Sequence, residues 1–119
     1  MGFREHLQDV CSGVEGAVAC SLMGVDGIEV DTHVAGDSDV DVKSLLVEYS
    51  SLFRNAREAA GLHEAGGIAE LSVHTDKLLT VARLVSEEYF MAVALRPGGN
   101  LGKARYLLRI TAPKVKTEL

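Results

Sequence analysis

The chain has 119 residues, of which 47% are hydrophobic and 24% charged, with two prolines. This composition excludes a disordered or low-complexity polypeptide, and the length excludes a second domain. The formal charge of −5 argues against non-specific binding to nucleic acid, and a single domain this small is marginal alone, so self-association that hides apolar surface is expected.

Phe3, Leu7, Val10, Cys11 and Val14 recur at helical spacing and predict an amphipathic helix over residues 2–13, stopping near Gly13. Arg4, Glu5 and His6 stand where a signal peptide needs an apolar core, so a cytoplasmic location is expected. Charge-free apolar stretches, residues 16–25 and 89–95, fall far below the roughly 20 residues of a membrane span, and no membrane insertion is expected. Residues 17–23 are small and apolar. Gly24-Val25-Asp26-Gly27 then supplies an Asp-Gly turn into residues 28–34, where Ile28, Val30, Thr32 and Val34 alternate with Glu29, Asp31 and His33; this pattern is a hairpin.

Beyond Asp37-Ser38-Asp39, residues Val42, Leu45, Leu46, Tyr49, Leu52, Phe53, Ala56 and Ala60 fall at intervals of three and four, closing at Gly61. They predict a long helix capped by Asp39 or Asp41, with Tyr49, Leu52 and Phe53 buried under a sheet. Its opposite face carries Ser44, Val47, Glu48, Ser51, Arg54, Asn55 and Glu58, and the row Ser44, Ser51, Asn55 lets a second helix approach closely.

Gly66-Gly67 opens a three-stranded meander over residues 68–74, 78–84 and 89–95. The last of these strands is apolar on both faces, so both faces of the sheet should be covered. A final helix is predicted over residues 101–111, ended by Pro113, with residues 114–119 as a frayed C-terminal tail on a single domain of residues 1–113. The order α-β-β-α-β-β-β-α gives an α+β fold: a five-stranded antiparallel sheet with one long central helix on one face and two terminal helices on the other.

Cys11 and Cys20 lack CxxC spacing and read as buried thiols, and the four histidines show no metal-ligand spacing, so neither metal nor cofactor is expected. Gly98-Gly99-Asn100-Leu101-Gly102-Lys103 resembles a phosphate loop but has Pro97 where that loop needs its first glycine and Ala104 where it needs Ser or Thr; a Gly-rich turn into a helix is the better reading. The acids Asp26, Glu29, Asp31, Asp37, Asp39 and Asp41 lack the closing Glu and central Gly of a calcium loop. Ser72 and His74 share a strand face without a nucleophile elbow or a credible base partner. Arg54, Arg57, Arg83 and Arg96 read as surface arginines covering apolar neighbours, with stabilisation of phosphate charge in another protein's site as the alternative. No self-contained active site is legible, so the chain is not expected to be an enzyme. Residues 96–119 hold six bases and one acid against six bases and sixteen acids before them, which suits a solvated helix face or a docking surface.

Over essentially its whole length the chain resembles the Roadblock/LC7 (dynein light chain, MglB-like) family. The resemblance lies in Gly16-Ala17-Val18, in the hairpin Met23-Gly24-Val25-Asp26-Gly27-Ile28-Glu29-Val30, in the helix segment Leu45-Leu46-Val47-Glu48-Tyr49-Ser50-Ser51-Leu52, and in Pro97-Gly98-Gly99-Asn100-Leu101-Gly102-Lys103-Ala104-Arg105. It implies a homodimer whose third strands pair edge to edge with the central helices side by side, through Ile68, Glu70, Leu71, Ser72, Val73 and His74 with Ser44 and Val47. An unpaired edge carrying Leu71 and Val73 would invite aggregation, and Leu71→Pro is expected to dissociate the pair. The resemblance also implies a non-catalytic partner of a small Ras-like (MglA-type) GTPase, modulating GTP hydrolysis or nucleotide state as bacterial MglB-type relatives do. Glu48, Ser51, Arg54, Asn55 and Glu58 are the expected contact row. The alternative is a scaffold subunit whose dimer docks a larger complex independently of nucleotide.

Overall fold

The computed structural model describes residues 2–119. Its elements are α1 (Phe3–Gly13), β1 (Ala17–Gly24), β2 (Glu29–Val34), α2 (Val42–Leu62), β3 (Glu70–His74), β4 (Leu79–Leu84), β5 (Tyr89–Leu95) and α3 (Leu101–Lys116). Five antiparallel strands form one sheet in the order β2-β1-β5-β4-β3, so β2 and β3 are its edges. The fold is the α+β architecture expected from the sequence.

The period-2 alternation of β5 divides the interior into two cores. Met91, Val93 and Leu95 pack with Leu7, Val10, Leu108 and Val115 of α1 and α3, whereas Phe90, Ala92 and Ala94 pack with Leu46 and Phe53 of α2. The Phe53 and Phe90 rings stack at 5.0 Å between centroids. Small residues at Ala92 and Ala94 leave room for that aromatic pair above the middle of the sheet.

The N-termini of the long helices are closed by their own side chains. Asp41, and not Asp39, caps α2: its Oδ1 accepts from the Ser44 N–H at 3.2 Å and its Oδ2 from the Ser44 hydroxyl at 2.8 Å. These bonds to the ionised form, the hydroxyl first, hold the Asp41 carboxyl below the ordinary carboxylate value. Asn100 caps α3 by accepting from the Lys103 N–H at 3.0 Å.

Of the glycines in the phosphate-loop look-alike, Gly99 serves packing. Gly16 has φ +86°, and a Cβ there would lie 2.8 Å from the Gly99 Cα. The turn before β1 thus presses backbone to backbone on the turn before α3, where the Arg96 N–H donates to Gly16 O and the Asn100 N–H to Glu15 O, each at 2.9 Å.

Three expectations are corrected. Leu52 is not buried under the sheet but 41% exposed; at about 100° per residue it sits roughly a quarter turn from Phe53, on the flank of the apolar stripe. Helix α3 does not stop before Pro113 and the tail is not frayed: the helix runs through Pro113 to Lys116, because Thr111, Ala112 and Val115 are buried beneath it and Pro113 itself faces solvent. The alternation of β2 is broken by a bulge, since Leu22 pairs with Asp31 but Met23 with Glu29. The Glu29 carboxylate consequently reaches the Thr32 hydroxyl on its own strand, while Ile28, Val30 and Val34 stay exposed.

Candidate functional site

The open edge of β3 is defined by its neighbour. The Leu84 N–H donates to Ala69 O at 3.1 Å and the Thr75 N–H to Leu78 O at 3.0 Å, so the odd-numbered residues of this segment turn their backbone groups toward β4. Glu70, Ser72 and His74 therefore present N–H and C=O to the outside. The side chains of these three share the face that carries α3. Arg105 Nε donates to Glu70 Oε2 at 3.2 Å, Arg105 Nη2 donates to Ser72 Oγ at 3.3 Å, and Ser72 Oγ lies 3.3 Å from His74 Nε2. Leu71 packs on the opposite face against the α2 core, as does Ile68, which lies just before the strand. The family resemblance named the strand residues; Arg105, thirty-five positions from Glu70, carried no signal that tied it to them.

The outer row of α2 divides. Glu48, Asn55 and Glu58 are exposed, and the half-buried Ser51 donates its hydroxyl to Glu48 O at 2.7 Å. Arg54 instead donates to Val25 O and, at 3.4 Å, to Ser50 Oγ, and Arg57 donates to Glu87 O at 2.5 Å. Both guanidinium groups tie the helix to the turns at one end of the sheet. Ser44 is taken up by the Asp41 cap. Val47 overhangs the β1–β2 turn, 3.6 Å from where a Gly27 Cβ would stand, and so lies on the flank away from β3. The opposite flank carries Leu45 and Leu52, and Leu45 packs into the same cluster as Ile68, Leu71 and Leu84.

A cleft of about 490 Å³ brings Arg96 and Lys77 against Asp37 and Asp39, with Arg96 donating to Asp37 O at 3.3 Å. A second, of about 340 Å³, lies beside Ile28, Asp26, Glu88 and Tyr89. Among the described residues no group of His, Cys, Asp or Glu is placed to hold a metal ion, and no helix is long and apolar enough to cross a membrane. Burial pushes the Cys11 thiol up to about 11 and the Cys20 thiol well above its ordinary value, so both stay protonated and poorly nucleophilic.

Comparison with known proteins yields no matching family model and no matching curated protein. Solved structures do match. The crystal structure of MglC from Myxococcus xanthus is 51% identical, with both chains covered in full and a TM-score of 0.72. The chain belongs to the Roadblock/LC7 family. A Roadblock/LC7 domain from Streptomyces avermitilis, at 17% identity, 96% of this chain, 94% of that chain and a TM-score of 0.81, shares the fold. So does the gliding protein MglB from Thermus thermophilus, at 13% identity over 98% of this chain and 89% of that chain, with a TM-score of 0.83. Within the Roadblock/LC7 frame, the β3 edge and the outer row of α2 are two open surfaces on which the sequence-predicted contact residues lie.

Proposed function

We propose that the chain is a non-catalytic Roadblock/LC7 adaptor of the Mgl type, located in the cytoplasm. Two copies pair through β3 into a homodimer, and the shared outer row Glu48, Ser51, Asn55 and Glu58 docks a protein partner. The observation that carries this reading is the engagement of Arg54 and Arg57 by backbone carbonyls of neighbouring turns. The outer row is left acidic and amide-bearing, suited to polar docking with a protein and poorly suited to the phosphate-rich side of a nucleotide site. The 51% identity to MglC supports the Mgl assignment.

A second reading follows from the family resemblance and from the exposure of that row: the dimer senses the nucleotide state of a small Ras-like, MglA-type GTPase and modulates its GTP hydrolysis. Calorimetry with the cognate GTPase loaded with GDP or with a GTP analogue separates the two. A preference of at least tenfold in Kd, about 1.4 kcal/mol, establishes nucleotide sensing. Equal affinity for both forms favours the adaptor reading, and none for either leaves only the family assignment standing.

A further inference from the structure

The β3 edge specifies more than pairing. We propose that two copies of this chain join in one register, with the two-fold axis at Ser72, so that Glu70 of each protomer faces His74 of its partner; this rests on the homodimer reading above.

The outward backbone groups belong to Glu70, Ser72 and His74. An antiparallel self-pair centred on Ser72 engages all five residues of β3, whereas centring on Leu71 or Val73 leaves two unpaired at each end. Charge selects the same register. Centring on Ser72 sets Glu70 opposite a histidine, centring on Leu71 sets it opposite serine, and centring on Glu70 sets two carboxylates against each other. A carboxylate directly across from an imidazole can accept a hydrogen bond from a ring N–H, whereas like charges placed opposite destabilise. The acceptor is already oriented, because Arg105 holds Glu70 through Oε2 and Ser72 through Oγ, and Ser72 in turn contacts His74. The two-fold then builds two copies of a chain running Arg105, Glu70, partner His74, partner Ser72 along the α3 face. On the α2 face the same register places Leu71 against the partner's Val73, beside the half-exposed Leu52 and the half-buried Leu45. The seam is thus polar on one face of the sheet and aliphatic on the other, which excludes slipped pairings that a uniformly apolar edge would tolerate.

Single-cysteine variants read the register. Directly opposed residues lie about 4.5–5.5 Å apart at Cα, within the roughly 4.4–6.8 Å a disulfide spans, and diagonal neighbours do not. Under mild oxidation Ser72→Cys should cross-link to itself, while Leu71→Cys, Val73→Cys and the parent chain, whose two thiols are buried, should not. Self-linking at position 71 or 73, or a dimer by light scattering without any link at 72, overturns the register and leaves the dimer reading intact. A monomer by light scattering overturns both. A second measurement uses charge: Glu70→Lys and His74→Glu should each weaken self-association about tenfold, and mixing the two should restore a heterodimer, because both facing pairs then become unlike. Failure to recover on mixing, in variants that remain folded, also overturns the register.

Discussion

His6 Nε2 lies 2.6 Å from Glu118 Oε2, joining the first turns of α1 to the last residues of the chain across 112 positions. His6 is buried there, and Val115, one turn before Glu118, is fully buried in the core shared by α1 and α3. The C-terminal segment is therefore part of the domain. Val115→Ala removes two carbon groups from that core and should cost about 2 kcal/mol, and truncation after Pro113 should cost more. Urea denaturation measures both, and unchanged midpoints would mean that the segment contributes nothing to the fold.

Two neighbouring residues of α2 should behave very differently. Phe53 is 1% exposed and stacked on Phe90, so Phe53→Ala should cost about 3–5 kcal/mol. Leu52 is 41% exposed in the single chain, so Leu52→Ala should cost under about 1 kcal/mol of monomer stability and act mainly on self-association. Denaturation at low protein concentration, where the monomer dominates, separates the two effects.

The fold was legible because its signals are local: a continuous apolar run for β5, a period near 3.6 for α2, and turn chemistry at Asp26-Gly27. The exceptions have local rules overruled from a distance. Pro113 reads as a stop, yet burial of Val115 by α1 residues far away in sequence carries α3 through it. Leu52 fits the stripe by spacing, but a helix on a sheet buries only part of an apolar arc, and the arc is centred on Leu46 and Phe53. The candidate site was half legible. The β3 strand follows from the meander pattern and its place at a dimer seam from the family resemblance, but that Arg54 would be spent on Val25 O depends on where the β1–β2 turn comes to rest, which no spacing encodes.

The buried thiols set an alkaline limit. The Cys11 value is raised to about 11, and Cys20 is raised by burial and then by its neighbour Cys11. Since the folded values lie above those of the unfolded chain, the unfolded state loses protons first as pH rises. Stability is full below pH of about 8.5, the ordinary thiol value, and should fall from there through about 11. Cys11→Ser, with a group that does not titrate in this range, should flatten the decline. Iodoacetamide should modify neither thiol of the folded protein at pH 8, and rapid labelling would show that the core opens far more readily than the packing implies.

Proline substitution at the β3 edge should separate folding from dimerisation, because adjacent residues point their N–H groups in opposite directions. The expectation that Leu71→Pro acts on the dimer is corrected by the ladder: the Leu71 N–H turns toward β4, so a proline there removes an intramolecular bond and should cost at least about 1 kcal/mol of fold stability. Ser72 turns its N–H to the open edge, where a proline is compatible with an edge strand. Ser72→Pro should therefore keep the circular dichroism spectrum of the parent chain while halving the mass reported by light scattering at micromolar concentration. A Ser72→Pro chain that remains dimeric would place self-association elsewhere than β3. A Leu71→Pro chain that folds with unchanged stability would mean that the β3–β4 ladder is weaker than its five paired residues indicate.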